Sequence, residues 1–185
     1  MSKSPVELPA FIDEKSGEVN VVIETPRGSR VKYAWDKDRA MFMHKRLLPL
    51  GMVFPYDFGF VPSTKAEDGD PIDVLLLIDE PLAVGTLVEA RLIGVALGEQ
   101  TEEEEGKKKK TKTVRNDRLI AIGKITHDYA GIENPEHLRP ETLEQIEAFF
   151  KQYNKLEGRK FKPLGAKGKK EAIALVKEAE KGAKK

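Results

Sequence analysis

Residues 68–78 read DGDPIDVLLLI and place three carboxylates directly before a continuous apolar run. The run at 74–78 predicts a buried strand, because it is short and its side chains are aliphatic. Two carboxylates about 5 Å apart repel each other by roughly 3 kcal/mol at an effective dielectric constant near 20, and a bound cation removes that repulsion. Hard divalent ions such as Mg²⁺ prefer carboxylate oxygens. Asp68, Asp70 and Asp73 are therefore candidate metal ligands.

The backbone decides whether these three side chains can meet. Strict strand alternation places Asp68 and Asp70 on one face and Asp73 on the other. Gly69 and Pro71 interrupt the alternation, so all three could converge. An ordinary solvated turn is the simplest alternative, because Asp, Gly and Pro are typical turn residues. A calcium loop of the EF-hand type fits poorly, since Asp73 replaces its glycine and a strand follows. Spacing alone leaves metal binding and a turn open.

Composition limits the classes of function. The chain has 185 residues, 39% hydrophobic and 34% charged, which is enough for one domain with a substantial core. Its formal net charge of +1 gives no argument for a nucleic-acid or membrane partner. The absence of cysteine excludes disulfides, thiolate catalysis and cysteine-bound zinc. No signal-peptide pattern or membrane-length apolar run is found, so we expect a soluble, cytoplasmic protein.

Most of the chain has the pattern of strands. Residues 19–25 and 31–36 alternate apolar and polar side chains around a Pro-Arg-Gly-Ser turn, which predicts a hairpin with Glu24 and Lys32 on its more polar face. Further strands are expected at 40–46, 58–62, 72–78, 86–97 and 117–125. Helical spacing appears late, in a stripe that predicts a helix from near Glu141 to before Gly158 and in a weaker pattern over 170–181.

These elements predict an α+β fold. We expect a small closed or partly open β-barrel, similar to the OB fold, with mostly antiparallel strands and C-terminal helices packed against it, in a single domain over residues 1–185. The Glu/Lys segment at about 100–113, with its charged centre at 101–110, predicts a long solvated hairpin loop. The Lys-rich tail at 177–185 predicts a frayed helix end.

Several stretches together carry a family resemblance. Residues 54–62 read FPYDFGFVP, and the aspartate motif at 68–75 follows them. With VIETP at 22–26 and VKY at 31–33, they resemble the soluble inorganic pyrophosphatases of the metal-dependent, barrel-fold family. The resemblance runs from about residue 19 to 160 and implies Mg²⁺-dependent hydrolysis of pyrophosphate. It also implies a homo-oligomer, a hexamer in common bacterial members.

The resemblance implies roles for the acidic residues. Asp68 and Asp73 would coordinate Mg²⁺, and Asp70 would lie among the metals and help to deprotonate a bridging water. Glu24 would reach a further metal through water. Two or more ions are implied. The simpler alternative for Glu24 is a cross-strand ion pair with Lys32, worth a few tenths of a kcal/mol to about 1 kcal/mol.

It also implies a set of phosphate-binding residues. Lys32 and Arg46 would bind phosphoryl oxygens, and Tyr153 would contribute a hydroxyl from the first helix. Arg46 could instead be a surface charge. Tyr153 lies on the apolar stripe, so without the resemblance its spacing predicts a core residue.

A second acidic segment of the family matches this chain less well. The best match is Asn116-Asp117-Arg118, in which Arg118 keeps a cation and Asn116 keeps an oxygen ligand without its charge. Sliding the match by one residue makes Asp117 the ligand instead. The third and fourth metal positions are therefore in question.

Three further positions differ from the family. Ala34 replaces an acidic residue, Phe58 replaces a phosphate-binding tyrosine, and Asn154 replaces a lysine. These changes remove negative charge from the metal side and positive charge from the phosphate side, so they partly compensate. Three hypotheses follow: a pyrophosphatase, a related phosphohydrolase with another phosphoanhydride substrate, and a non-catalytic binding module. Retention of the three aspartates argues against the third.

Overall fold

The computed structural model describes residues 4–67, 69–103 and 111–184. In these ranges the strands are β1 (Phe11–Asp13), β2 (Glu18–Thr25), β3 (Val31–Asp36), β4 (Met41–Leu47), β5 (Asp57–Phe60), β6 (Asp73–Leu77), β7 (Leu87–Glu103), β8 (Thr111–Arg115), β9 (Arg118–Gly123) and β10 (Phe161–Gly168). The helices are α1 (Pro140–Leu156) and α2 (Lys169–Ala183). Neither described helix is long and apolar enough to cross a membrane.

Five strands close into a ring. Strand β2 pairs with β5, β5 with β6, β6 with β9, β9 with β7, and β7 returns to β2. Every pairing in the ring is antiparallel except that of β6 with β9, which is parallel. Strands β1, β8 and β10 extend the sheet from β2 and β7. The prediction of an α+β fold built on a small barrel is therefore confirmed.

Strand β6 is apolar after Asp73 because both of its faces are covered. Val74 and Leu76 belong to one buried cluster, which includes alternate residues of β2 and buried residues of α2. Leu75 and Leu77 point to the opposite side, into two further clusters. Period-two alternation is therefore present, but both sets of positions are hydrophobic.

Glycine is required at the centre of β5. A Cβ atom built on Gly59 would lie 2.2 Å from the carbonyl oxygen of Val22 on the neighbouring strand. Real Cβ atoms do not approach backbone oxygens this closely, so any side chain would separate β5 from β2. The aromatic-Gly-aromatic pattern of 58–60 thus has a packing reason in the barrel itself.

The predicted hairpin between 19–25 and 31–36 is wrong. Strand β3 pairs with β4 in a separate two-stranded sheet, and β2 pairs with β1, β5 and β7 instead. Contacts between β2 and β3 are made by side chains; for example, the Thr25 hydroxyl accepts the backbone N–H of Tyr33 at 3.1 Å. Local alternation predicted the strands, but it carried no information about their partners.

A buried carboxylate holds the turn between β2 and β3 in place. Asp57 is 2% exposed and accepts the backbone N–H groups of Arg27 at 2.6 Å and Leu82 at 2.9 Å. Burial raises the pKa of Asp57, and the two backbone N–H donors oppose that rise. This turn leads the chain into β3, which carries Lys32.

The charged segment is more ordered at its ends than predicted. Strand β7 continues to Glu103 and pairs with β8, so residues expected in a solvated loop form a ladder. The rest of that predicted loop, 104–110, lies outside the described residues.

Strands β1, β8 and β10 were missed, because the first is very short and the others are interrupted by Lys, Gly and Pro.

Both predicted helices are present. Ile146 and Phe150 of α1 are buried, which confirms the apolar stripe. Helix α2 buries Ala172, Val176 and Ala179 and continues to Ala183. The helix therefore includes 177–183 of the predicted Lys-rich tail, and the fraying of its end stays a prediction. Ala179 holds those turns against the core, and its carbonyl accepts the backbone N–H of Lys65 at 2.9 Å.

Candidate active site

A cavity of about 1160 Å³ lies where β2, β3, β6, β7, β9 and α1 meet. Eight of the ten residues predicted from the sequence line it: Glu24, Lys32, Arg46, Asp70, Asp73, Asn116, Arg118 and Tyr153. These eight residues extend from position 24 to position 153 of the chain, so their convergence is a property of the fold. Asp68, the ninth, lies outside the described residues, and Asp117, the tenth, is not among the described lining residues.

The parallel pairing of β6 with β9 brings Asp73 and Arg118 together. Val74 pairs with Leu119, so the residues that precede them lie side by side at the start of each strand. The Arg118 Nε atom is 3.8 Å from a carboxylate oxygen of Asp73. Asp73 is half-buried and lines the cavity, so its carboxylate can be reached from the cavity, as can the neighbouring Arg118.

Arg118 is fixed by an aromatic surface. It is 4% exposed, and its guanidinium carbon lies 3.7 Å from the centroid of the Phe150 ring and 5.5 Å from that of Phe161. Its Nη1 atom also donates to the Asn116 carbonyl at 3.1 Å. A stacked, hydrogen-bonded guanidinium loses little further freedom when it binds an anion, so Arg118 is a preorganised cation at the base of the cavity.

Asp70 lies in the loop before β6 and is exposed to the cavity. Gly69 has φ +91°, in the left-handed region that favours glycine, and its N–H donates to the Ala66 carbonyl at 3.0 Å. The backbone N–H of Ala66 in turn donates to the Asp70 carbonyl at 2.7 Å. This tight loop places Asp70 and Asp73 in the same cavity wall, which strict strand alternation would not do.

Glu24 and Lys32 form a partly buried pair. The Lys32 Nζ atom donates to one carboxylate oxygen of Glu24 at 3.2 Å, and the backbone N–H of Trp35 donates to the other at 3.0 Å. The same ammonium lies 4.0 Å from the centroid of the Phe58 ring. The phenylalanine at this position therefore packs beneath the cation, which is a contact that needs no hydroxyl.

Arg46 and Tyr153 meet across the opposite side of the cavity. The Arg46 Nη1 atom donates to the Tyr153 hydroxyl oxygen at 2.9 Å, and its guanidinium carbon lies 5.4 Å from the ring centroid. Because the hydroxyl oxygen accepts this bond, its own proton can be directed at a ligand. Tyr153 is both a core residue, packed against Phe54 and Phe149, and a polar group of the cavity.

Asn116 and Asp117 face different surroundings. Asn116 lines the cavity, whereas both carboxylate oxygens of Asp117 accept Arg115 Nη2, at 2.8 and 2.9 Å. The Gly98 backbone N–H also donates to Asp117, at 2.9 Å. Of the two alternative ligands predicted from the sequence, the geometry favours Asn116.

Sequence reasoning missed several polar residues of the wall, among them two on β7. Gln100 and Glu102 of β7 line the cavity, and the Gln100 amide donates to a Glu102 carboxylate oxygen at 3.1 Å. The sequence pattern had predicted a charged loop at both positions. Their spacing of two residues was the available signal, because it puts both side chains on one face if the strand continues.

The positions that differ from the family also lie at this cavity. Ala34, Phe58 and Asn154 all line it. Asn154 is 2% exposed, and its amide nitrogen donates to the Phe150 carbonyl at 2.9 Å, so its side chain is turned back into α1.

The electrostatic character of the cavity suits an anion. Among the described lining residues, seven side chains are cationic and five are acidic. A concave wall with an excess of positive charge concentrates anions, and a low-dielectric floor strengthens that attraction. The floor is aromatic, formed by Phe54, Phe58 and Phe150.

Comparison with known proteins identifies the family. Residues 21–184 match the family model described as inorganic pyrophosphatase. The chain is 38% identical over 162 residues to soluble inorganic pyrophosphatase 2 of Chlamydomonas reinhardtii, covering 87% of this chain and 78% of that protein. It is 36% identical over 174 residues to the inorganic pyrophosphatase of Campylobacter jejuni, covering 94% and 96%.

Solved structures give the same result. The crystal structure of inorganic pyrophosphatase from Thermus thermophilus superimposes with a TM-score of 0.84 at 33% identity, covering 99% of this chain and all of that one. A structure from Neisseria gonorrhoeae gives 0.83 at 30% identity, covering 98% and 99%. The match over nearly the whole length, in sequence and in structure, leads to one conclusion: the chain belongs to the inorganic pyrophosphatase family.

Proposed function

We propose that this protein hydrolyses inorganic pyrophosphate to two phosphates in a Mg²⁺-dependent reaction with water. The observation that carries the proposal is the convergence of Asp70 and Asp73 with Lys32, Arg46 and Arg118 in the wall of one cavity. Carboxylates bind divalent cations and basic side chains bind phosphoryl oxygens, so the cavity offers ligands for both the metal and the pyrophosphate.

The chemistry of the donor set fits Mg²⁺. Asp70, Asp73, Glu102 and Asn116 present oxygen atoms to the cavity, and no histidine is among its described lining residues. Within the described ranges, no three acidic or histidine residues form a ready cluster for a metal. Mg²⁺ does not require one, since it keeps several waters and is commonly held by one or two carboxylates together with substrate phosphates.

Asp73 would coordinate the metal, with Asp68, outside the described residues, as a further ligand proposed from the sequence, and Asp70 would lie among the metals. When bound, Mg²⁺ supplies positive charge that neutralises phosphoryl oxygens and lowers the pKa of a nearby water. A number of two or more ions, and metal-binding roles for Glu24 and Asn116, are part of the same proposal; Asp117, whose carboxylate is paired with Arg115, is left out of it.

The basic residues bind and orient the substrate. Arg118 at the base, Lys32 on one side and Arg46 on the other would each donate to phosphoryl oxygens, and the Tyr153 hydroxyl would direct its proton at the group beside Arg46. Because Lys32, Arg46 and Arg118 are already held by Glu24, Tyr153 and Phe150, little reorganisation accompanies binding.

Asp70 would act as the general base. Its exposure to the cavity lets a carboxylate oxygen take one proton from the attacking water. The water oxygen forms a bond to one phosphorus while the bridging P–O bond breaks, and the electron pair leaves on the departing phosphate. Basic side chains stabilise that developing charge without a covalent intermediate.

A phosphate-release assay tests the proposal. Purified protein with pyrophosphate and millimolar Mg²⁺ should release two phosphates per pyrophosphate, and removal of divalent ions with a chelator should abolish release. Calorimetry should also show a higher Tm with Mg²⁺, because the ion binds the folded state. Phosphate release at the chelator background would refute the activity, and a structural or binding role would then replace it.

The size of the cavity favours one second candidate. At about 1160 Å³ it exceeds the upper end of the range of about 300–1,000 Å³ that is typical of sites for drug-sized ligands. A longer phosphoanhydride such as tripolyphosphate could enter. Assaying pyrophosphate and tripolyphosphate in parallel separates the candidates, because a larger kcat/KM for tripolyphosphate would favour the second.

The cellular context forms a further part of the proposal. We propose that the chain acts as a single domain over 1–185, in the cytoplasm, as a homo-oligomer, with a hexamer suggested by the family resemblance. We propose no nucleic-acid or membrane partner, in line with the formal net charge of +1. Light scattering at several concentrations tests the oligomer.

A further inference from the structure

A third arginine, Arg159, reaches the cavity from the turn that follows α1. Arg159 lines the wall together with Arg46 and Tyr153. Glu157 lies between the two arginines: it contacts Arg46, and one of its carboxylate oxygens is 3.5 Å from Arg159 Nη1. Two guanidinium groups and one carboxylate leave this cluster with a net positive charge.

The local backbone explains why Arg159 points to the cavity. Helix α1 ends at Leu156, and the carbonyl of Asn154 then accepts the N–H groups of Glu157 and Arg159, each at 2.9 Å. Gly158 has φ +72°, the left-handed conformation that closes a helix C-terminus. The chain therefore turns sharply, and the residue after the glycine is brought back beside the last turn of the helix.

The side chain of Asn154, in the last turn of α1, is not available as a ligand. It is 2% exposed and donates to the Phe150 carbonyl, so it offers neither a positive charge nor an accessible donor at that point of the wall. Arg159, by contrast, keeps 43% of its side chain exposed. A guanidinium has five N–H donors, so the ion pair with Glu157 leaves several for an anion.

We propose that Arg159 binds the substrate directly, donating to the phosphoryl group that lies beside Arg46 and Tyr153. In this chain it supplies the cation that Asn154 does not. The inference rests on the proposed function, since it assigns a further residue to the same pyrophosphate site. Glu157 restricts the guanidinium to the cavity side and lowers the loss of side-chain freedom on binding.

Kinetics and equilibrium binding together test this assignment. Arg159→Gln removes the charge and keeps a polar side chain. Arg159→Lys keeps the charge but loses the planar guanidinium with its several N–H donors. Arg39→Gln is the matched control, because Arg39 is also exposed and paired with an acid, Asp36, but is not among the described lining residues. Each protein is assayed with pyrophosphate and titrated calorimetrically with inorganic phosphate.

Loss of one charge-assisted hydrogen bond should raise KM for pyrophosphate and Kd for phosphate about tenfold in Arg159→Gln. Arg159→Lys should recover part of the loss, and Arg39→Gln should match the parent. Unchanged KM and Kd in Arg159→Gln would overturn the inference while leaving the pyrophosphatase activity standing. If the parent shows no turnover, the proposed function fails, and the phosphate titration still decides whether Arg159 binds phosphate.

Discussion

Glu24 offers a sharp test of how the cavity holds its cations. One of its carboxylate oxygens accepts Lys32 Nζ at 3.2 Å and the other accepts the Trp35 backbone N–H at 3.0 Å. The carboxylate is largely buried, with Glu24 and Lys32 side chains only 11% and 17% exposed. We therefore expect both interactions to stabilise the fold, unlike an ion pair in water.

The expected loss in the free energy of unfolding differs between two substitutions of Glu24. A hydrogen bond to a charged group contributes about 1.5–3 kcal/mol. Glu24→Gln keeps an oxygen for the Trp35 N–H and loses the charge that pairs with Lys32, so the free energy of unfolding should fall by about 1.5 kcal/mol. Glu24→Ala removes both acceptors and leaves two partly buried donors, so the loss should be about 3 kcal/mol.

Urea unfolding measures both losses. Glu18→Gln is the matched control, because Glu18 is on the same strand and pairs with Lys124 at 3.0 Å, but in an exposed pair expected to contribute at most about 1 kcal/mol. Adding Lys32→Met to Glu24→Gln should recover part of the stability, since it removes the unpaired cation. Equal stability of Glu24→Gln, Glu24→Ala and the parent would refute the reasoning.

Two further predictions concern Asp79, which is not among the described residues lining the cavity, and Arg118, which is. Hydrogen bonds from Thr126, His127 and Asp128 hold the pKa of Asp79 below its ordinary value of 3.8, so its stabilising effect is present above that pH and lost as pH falls through the lower, folded-state pKa. Asp79→Asn should therefore lower Tm at pH 7, and its Tm should converge with that of the parent in acid. A Tm difference that stays constant as the pH falls well below 3.8 would contradict this. Arg118→Lys loses the planar guanidinium and its stacking on Phe150, so the free energy of unfolding in urea should fall by about 1–2 kcal/mol. An unchanged urea midpoint would show that any cation at this position is sufficient.

The sequence contained most of the local structure. The apolar run of β6 and the apolar stripe of α1 were predictable, because the buried positions of a strand or helix are hydrophobic and recur at a fixed spacing in the sequence. The position of Asp73 at the start of β6 followed directly. The aromatic-Gly-aromatic segment also marked β5, although the reason for Gly59 became clear only from its approach to Val22.

Long-range pairing was not predictable in the same way. The parallel alignment of β6 with β9 sets Asp73 beside Arg118, and this register depends on how a whole barrel closes. The incorrect hairpin between 19–25 and 31–36 has the same cause, since alternation fixes faces but not partners. Glu24 and Lys32 still meet, because β3 crosses near β2 without pairing with it.

Polar strands were the hardest to recognise. Residues 100–103 have the composition of a solvated loop, yet they continue β7 and bring Gln100 and Glu102 to the cavity. A strand that lines a polar cavity does not require alternating hydrophobic side chains. The sequence pattern that usually predicts a strand is therefore absent from the part of β7 that lines the candidate site. The position of Arg159 depended on the geometry of a helix end, which its sequence neighbours indicate only through Gly158.

The most direct test of the central claim is steady-state phosphate release by the parent, Asp70→Asn and Asp73→Asn across a Mg²⁺ series. We predict that the parent hydrolyses pyrophosphate and that Asp70→Asn loses on the order of 10²–10⁴ in rate at every Mg²⁺ concentration, because a general base is removed. Asp73→Asn should recover part of its activity as Mg²⁺ rises, since weaker metal binding is overcome by mass action. An Asp70→Asn variant as active as the parent, or restored by Mg²⁺, would contradict the account.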